Sequence, residues 1–171
     1  GGGGLVNGPL TRTNNVVSYT SPKFGGFTGF LAYHAGADSV VPAAGANTNA
    51  NGWSARGTYS NGPFTLLLDQ TVNTLIDAGA ATGTPKNTGT KLGAGWAYQP
   101  GAQVALIWTK HRQDNIALAI GTIAVAGDDL AQNTVTLNWE HTIGSVQLLA
   151  QYAKAGNASG MTGVTTGDSS T

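Results

Sequence analysis

Apolar residues recur at every second position in eight separate segments of the chain, which is the period of a β-strand and not that of a helix. The clearest segment is 133–141, where Val135, Leu137 and Trp139 alternate with polar residues such as Asn138. At about nine to eleven residues, such a segment is long enough to cross a bilayer as a tilted strand. The segments are 12–20, 27–34, 52–60, 64–70, 91–99, 102–112, 133–141 and 144–153.

The connections between these segments alternate between short and long. Gly, Pro, Asn and Ser, the residues that tight turns require, fill the short ones. Short connections at 21–26, 60–63, 99–102 and 142–145 alternate with long polar ones at 35–51, 70–90 and 113–130. This alternation predicts an all-β, antiparallel up-and-down meander with short turns at one edge of the sheet and long loops at the other.

The composition excludes several classes of protein. Only 9% of the residues are charged, compared with about 25% in soluble domains, and the formal net charge is zero, so no basic surface is available for nucleic acid. The 40% hydrophobic content is too high for a disordered polymer. The absence of cysteine excludes a disulfide-stapled scaffold and a cysteine-based zinc site. No apolar run reaches the roughly 18–20 residues that a transmembrane helix needs.

A sheet with one apolar and one polar face either covers a soluble core or meets lipid on the outside and water on the inside. The aromatic residues favour the second arrangement, because they lie toward segment ends, as in the interfacial girdles of a membrane barrel. They are Tyr19, Tyr33, Trp53, Tyr59, Trp96, Tyr98, Trp108, Trp139 and Tyr152. The alternative is the general preference of aromatic residues for strands. In hydrocarbon every backbone polar group must be paired, so the lipid-facing sheet must close into a transmembrane β-barrel.

The residues predicted to point inward are too small to fill a narrow barrel. They are mostly Gly, Ser, Thr, Ala, Asn and Gln, whereas eight-stranded barrels are filled by side chains and 16-stranded barrels leave an aqueous lumen. The eight segments are therefore predicted to be part of a larger wall. Both ends of the chain, 1–10 and 156–171, have the composition of loops, which fits an interior section of that wall.

Residues 12–33, RTNNVVSYTSPKFGGFTGFLAY, resemble a segment of the general porins of Gram-negative outer membranes, particularly the trimeric kind of β-proteobacteria. Residues 90–106, TKLGAGWAYQPGAQVAL, are similar to another hairpin of these porins. The resemblance implies about strands 6 to 13 of a 16-stranded barrel. Residues 1–11 would be the tail of the constriction loop, 12–154 four strand hairpins and 155–171 a loop. The residues that carry the first match are Arg12, Asn14, Asn15, Tyr19, Ser21, Pro22, Phe24, Gly26 and Phe27.

Five charged residues fall in the inward phase of the predicted strands. For Arg12 and Arg56 the other face is unfavourable, because an arginine in lipid costs about 2–4 kcal/mol at mid-bilayer. Lys91, Asp69 and Glu140 share the inward phase. The resemblance implies that wall arginines oppose acidic groups on the constriction loop and bias the passage of ions. We predict that these residues line the pore and set its selectivity; the alternative is solvated lumen charge without effect.

Other residues suggest chemistry only weakly. His34, His111 and His141 lie on separate segments without metal-ligand spacing, so we expect no metal site, and no motif nominates a cofactor or a catalytic nucleophile. Asp128 and Asp129 form a pair that suits either a weak Ca²⁺ site or, more simply, a solvent-exposed loop.

Lys110 and Arg112 share the phase of Trp108 and are expected to emerge above the membrane. There they would meet lipid phosphates, although solvated rim charge explains them equally well.

We therefore predict a non-enzymatic outer-membrane porin, a water-filled channel for passive diffusion of small hydrophilic solutes and ions. The resemblance implies a homotrimer surrounded by outer-membrane lipid and lipopolysaccharide. Two alternatives stay open at this point. A soluble or cell-surface β-structural or adhesion protein would need no detergent. An outer-membrane enzyme would lose a turnover activity when its histidines are replaced.

Overall fold

The computed structural model of the protein describes residues 15–35, 51–74, 86–120, 123–159 and 169–170. The predicted tail of a constriction loop, 1–11, and Arg12 lie outside these residues. Among the described residues, no helix is long and apolar enough to cross a membrane.

The described residues form one antiparallel sheet in which every strand pairs with its neighbours in sequence. The predicted all-β up-and-down meander is therefore confirmed. The ninth strand has only two residues, and within the described chain the first and ninth strands form the open edges of the sheet. The strands are β1 (Val16–Thr20), β2 (Phe27–Ala35), β3 (Asn51–Asn61), β4 (Phe64–Thr74), β5 (Lys86–Gln99), β6 (Ala102–Ile120), β7 (Ile123–Ile143), β8 (Val146–Ala155) and β9 (Ser169–Ser170).

The short turns lie where the sequence predicts them. Three strand pairs, β3–β4, β5–β6 and β7–β8, are joined by two residues each, and each turn contains a glycine with a positive φ. These are Gly62 at 55°, Gly101 at 74° and Gly144 at 60°, a conformation that other residues rarely adopt. A two-residue turn fixes the register of its hairpin, so these turns decide which residues lie opposite one another.

The predicted long loops are shorter than expected. Strand β4 continues to Thr74 and β5 begins at Lys86, so the ends of the predicted 70–90 loop are strand. The prediction of a loop at 113–130 is wrong, because β6 and β7 extend through this region. The extended hairpin shifts register between Gln113 and Ile116 and again beyond Ile116, so a regular period of two could not reveal it. The interior of the 35–51 connection lies outside the described residues.

The C-terminal stretch predicted as a loop, 155–171, also contains paired residues. Ser169 lies opposite Ala155 and Ser170 opposite Lys154, which forms β9. A separate bridge joins Ser159 to Ala131 of β7 through two backbone hydrogen bonds of 2.8 Å.

One face of the sheet carries a row of apolar residues from β4 to β8, which we call the apolar band. The register places Leu66, Ala94, Leu106, Leu137 and Tyr152 in one row, and directly opposite residues share a face. We call this face the outer face and the opposite one the inner face.

Within the described ranges, no second layer covers the outer face. Strands contact only their neighbours in the sheet, and among the described residues Ala102, 3% exposed, is the one buried hydrophobic residue. On the outer face Leu137 remains 44% exposed and Leu106 52% exposed. A soluble protein would bury such a surface, so its natural solvent is lipid.

Candidate functional site: the inner face

Three charged residues form a row across the inner face. Arg56 of β3 lies opposite Asp69 of β4, and Asp69 lies opposite Lys91 of β5. The Arg56 Nε donates a hydrogen bond of 2.6 Å to Asp69 Oδ2, and the Thr71 hydroxyl lies 3.5 Å from Asp69 Oδ1. We call Arg56, Asp69 and Lys91 the charged row. The structure thus brings together three of the five residues predicted to line the pore.

The neighbours of the charged row differ at its two ends. Phe30 of β2 lies opposite Arg56, and Thr109 of β6 lies opposite Lys91. An apolar ring therefore flanks the arginine, while a hydroxyl flanks the lysine. The Arg56 side chain is 54% exposed and that of Asp69 is 14% exposed, so the guanidinium and not the carboxylate presents itself to the space in front of the sheet.

Glu140 forms a second polar group on the inner face, close to the short turn between β7 and β8. Gln103 Nε2 donates to Glu140 Oε2 at 2.7 Å, and Gln147 Nε2 donates to Glu140 Oε1 at 2.6 Å. Both carboxylate oxygens are therefore held by neutral amides, which fix the position of the negative charge without cancelling it. Glu140 lies six residues from Thr134, which continues the level of the charged row on β7. At about 3.3 Å per residue, this is about 20 Å along the strand.

The three histidines occupy different places. His34 Nε2 lies 2.9 Å from Asn73 Oδ1 on the inner face. His111 is also on the inner face, opposite Gly89 and Gln132, and its Nδ1 is buried without a hydrogen-bond partner. His141 lies on the outer face. Within the described part of the chain, no three His, Asp or Glu side chains gather in a group that could hold a metal ion.

His141 belongs to a hydrogen-bonded aromatic group at the short-turn edge of the outer face. Trp139 Nε1 donates to the Tyr98 hydroxyl at 2.9 Å, and that hydroxyl lies 3.0 Å from His141 Nδ1. Because Tyr98 accepts from Trp139, its own proton is free to be donated to His141. The His141 and Trp139 rings stack, with centroids 5.6 Å apart. The Trp139 N–H, the Tyr98 hydroxyl and His141 Nδ1 thus pair with one another on the outer face.

The aromatic residues predicted to lie at membrane interfaces all share the outer face. Toward the short turns lie Tyr19, Tyr59, Trp96, Tyr98 and Trp139, and toward the opposite edge lie Tyr33 and Trp53. Trp108 and Tyr152 lie between these two groups, each six residues from the short-turn end of its strand. Their role as girdles stays a prediction, which this two-ended arrangement favours.

Outward charges on β6 lie beyond Trp108, on the side away from the short turn at Gly101. Lys110 and Arg112 share the outward phase, as predicted from their spacing. Arg112 forms ion pairs with Asp114 and, at 2.9 Å, with Asp129. The hydrogen bond and charge of Asp114, together with Asp129, raise the pKa of Arg112 above its ordinary value. Asp129 therefore has an arginine partner, and the side chain of Asp128 lies outside what the structure describes.

The Arg56–Asp69 ion pair and the amide hydrogen bonds to Glu140 were not predicted from the sequence, although the positions of the turns contain the information needed. A two-residue turn at Gly62 and Pro63 places Asn61 opposite Phe64, and counting back along both strands places Arg56 opposite Asp69. The turn at 144–145 similarly places Glu140 opposite Leu149, with Gln147 two residues away on the same face. Counting residues back from each turn therefore identifies contacts between strands, which assigning residues to the two faces does not.

A single-layer sheet with an apolar outer face, aromatic groups toward both edges and charges on the inner face defines the wall of a membrane-spanning β-barrel of the outer-membrane type. The family model described as Gram-negative porin matches residues 1–171. The chain belongs to the Gram-negative porin family, and it is an outer-membrane channel protein. Comparisons with curated proteins and with solved structures find no match.

Proposed function

We propose that the inner face lines a water-filled channel through which small hydrophilic solutes and ions diffuse passively, and that the charged row sets the ion preference. The observation that carries this proposal is the set of charges on the inner face, because the described outward-facing charges lie at the level of Trp108 or farther from the short turns. Those outward-facing charges are Lys86, Lys110, Arg112, Asp114 and Lys154. Arg56, Asp69, Lys91 and Glu140 all lie on the inner face. Wall charges act on permeating ions because the narrow lumen and low-dielectric wall concentrate their field.

Passive diffusion through such a wall needs no catalytic group. Between its few charges the inner face presents mainly hydroxyls, amides and glycines, and its large apolar residues include Phe30, Leu67, Ile107 and Leu149. Porins are channels, and we propose that this one carries out no turnover chemistry. Arg12, which the resemblance places in the pore, lies outside the described residues, and its role in selectivity is part of the same proposal.

The outer face supports assembly into a trimer of 16-stranded barrels. Gly29 of β2 lies opposite Gly57 of β3, and a Cβ added at Gly57 would meet nothing within 4 Å. Ala55 is next to this pair on the same face. The low relief of these small residues lets the wall of a second copy approach closely, while the rest of the outer face meets lipid.

Lys110 is a better candidate than Arg112 for contact with lipopolysaccharide phosphates. It lies on the outer face beyond the apolar band, whereas two Arg112 nitrogens are already engaged by Asp114 and Asp129. A cation near the membrane surface contributes about 1 kcal/mol to the attraction of anionic lipid.

Two lysines on opposite faces provide the test. Lys91 of β5 lies opposite Thr109 of β6, and Lys110 follows Thr109 on β6. The two lysines therefore differ mainly in the face they occupy. In planar bilayers with a salt gradient, the wild-type protein is expected to show stepwise conductance. Lys91→Gln should shift the reversal potential toward cation preference, because a positive charge leaves the pore.

Lys110→Gln removes the same charge from the outer face and should leave the reversal potential unchanged. An absence of stepwise conductance in the wild type would overturn the channel assignment. Equal shifts in both variants, or none in either, would overturn the assignment of the inner face to the pore.

A further inference from the structure

We propose that Asp69 neutralises Arg56, so that permeating ions respond to the summed charge of the row and Asp69 is a determinant of ion selectivity. This inference rests on the proposed function, because it assigns a role within the same channel wall. It assigns to a wall carboxylate an influence on selectivity equal in size, and opposite in sign, to that of its arginine neighbour.

The geometry of the pair supports neutralisation. The 2.6 Å hydrogen bond between Arg56 Nε and Asp69 Oδ2 joins two ionised groups, and such charge-assisted bonds are short and strong. The second carboxylate oxygen has Thr71 of the same strand within 3.5 Å. Asp69 is thereby oriented toward Arg56 and not toward Lys91, although both lie directly opposite it. The row therefore consists of one compact ion pair and one additional cation.

The spacing of the row makes its charges act together. Neighbouring strands are about 4.8 Å apart, so the three residues span about 10 Å of wall. The Debye length is also about 10 Å at 0.1 M salt, so a hydrated ion that passes the row is influenced by all three charges at once. One carboxylate and two cations leave the row with a single net positive charge.

A different outcome would follow if the influence of each charge on permeating ions depended on the exposure of its own side chain. The Arg56 side chain is 54% exposed and that of Asp69 only 14% exposed. On this second view Arg56 dominates the field, and removal of Asp69 has little effect. The two views make different predictions for single and paired substitutions, although they agree for Arg56 alone.

The test measures reversal potentials in planar bilayers under a KCl gradient centred on about 0.1 M, where screening still permits the charges to act. Arg56→Gln leaves the row neutral and should shift the channel toward cation preference. Asp69→Asn leaves two uncompensated cations and should shift it by a similar amount toward anion preference. The double variant, R56Q/D69N, has the same net charge as the wild type and should restore the wild-type reversal potential.

A charge-swapped variant, R56D/D69R, provides a second measurement if one of the neutral variants does not insert. It keeps the net charge of the row and should also show the wild-type preference. Raising the salt to about 1 M, where the Debye length is about 3 Å, should reduce the differences in ion preference among the variants.

The inference is overturned if the R56Q/D69N channel keeps the shift of Arg56→Gln, or if Asp69→Asn leaves the preference unchanged. Failure of the proposed function is a different result. A wild-type protein that forms no channels, or a Lys91→Gln channel that behaves as wild type, contradicts the pore wall itself. Stepwise channels with a normal Lys91→Gln response but no restoration in the double variant contradict only the summed-charge inference.

Discussion

Lys91 and Lys110 show how differently the two faces of one sheet treat the same side chain. Lys91 lies on the inner face beside Asp69 and within the charged row. Lys110 lies one strand away on the outer face, beyond the apolar band. In a sheet without a second layer, the parity of a residue along its strand decides whether it meets water or lipid. Residues adjacent in sequence therefore face different solvents, whereas residues two apart face the same solvent.

The faces also differ in how they contribute to stability. Inner-face polar groups pair with one another across strands, as Arg56 does with Asp69 and His34 with Asn73. Outer-face polar contacts besides the group around Tyr98 include the Arg112 ion pairs and the hydrogen bond from Thr90 to Gln70, whereas the apolar side chains of this face are stabilised by transfer into hydrocarbon. The inner face depends on matched partners, whereas the middle of the outer face depends on the absence of charge.

A charge placed in the middle of the outer face should produce the largest effect. Leu137→Arg puts a guanidinium between the levels of Trp139 and Val135, and we expect it to lower the free energy of unfolding in lipid vesicles by about 2–4 kcal/mol. The matched control is Asn138→Arg, the adjacent inner-face residue, for which we expect a change within about 0.5 kcal/mol. Denaturant titration in vesicles measures both. Similar losses for the two variants would mean that parity does not separate lipid from water.

A smaller effect should follow from a methyl group added at a crowded inner-face position. Gly52 is buried, and a Cβ there would overlap His34 Nε2, Asn73 Oδ1 and the backbone oxygen of Val72. Gly52→Ala should therefore disrupt the His34–Asn73 hydrogen bond and cost about 1–3 kcal/mol. The same vesicle titration measures this loss.

Gly95 is the matched control on the same inner face, because a Cβ there would come no closer than 3.8 Å to any neighbour. Gly95→Ala should change the free energy of unfolding by no more than about 1 kcal/mol, and in the stabilising direction, because alanine suits a strand better than glycine. If Gly52→Ala is as well tolerated as Gly95→Ala, the packing around His34 is not as the structure describes it.

Most of the wall is predictable from sequence because its physics is local. Alternation along β7 assigns faces correctly, and glycines with positive φ mark the turns that fix register. The fold class and the inward phase of Arg56, Asp69, Lys91 and Glu140 follow from those two signals.

The remaining features depend on information that a strict period of two does not carry. The extension of β6 and β7 through 113–130 contains register shifts, so its polar and small residues resemble a loop. Glu140 accepts hydrogen bonds from Gln103 on one neighbouring strand and Gln147 on the other. Predicting both bonds requires the registers of both strand pairs to be known.

Single-cysteine scanning of Thr134–Glu140 on β7 tests the central claim most directly, because the natural chain has no cysteine to interfere. Each variant, folded in lipid vesicles, is treated with a water-soluble thiol reagent and, separately, labelled with a fluorophore that a spin label on the lipid acyl chains quenches. We predict that 134, 136, 138 and 140 react with the aqueous reagent while 135, 137 and 139 are quenched by the lipid label. Aqueous reactivity that is uniform along the strand, or quenching at the even positions, would contradict the assignment of one face to lipid and the other to a water-filled pore.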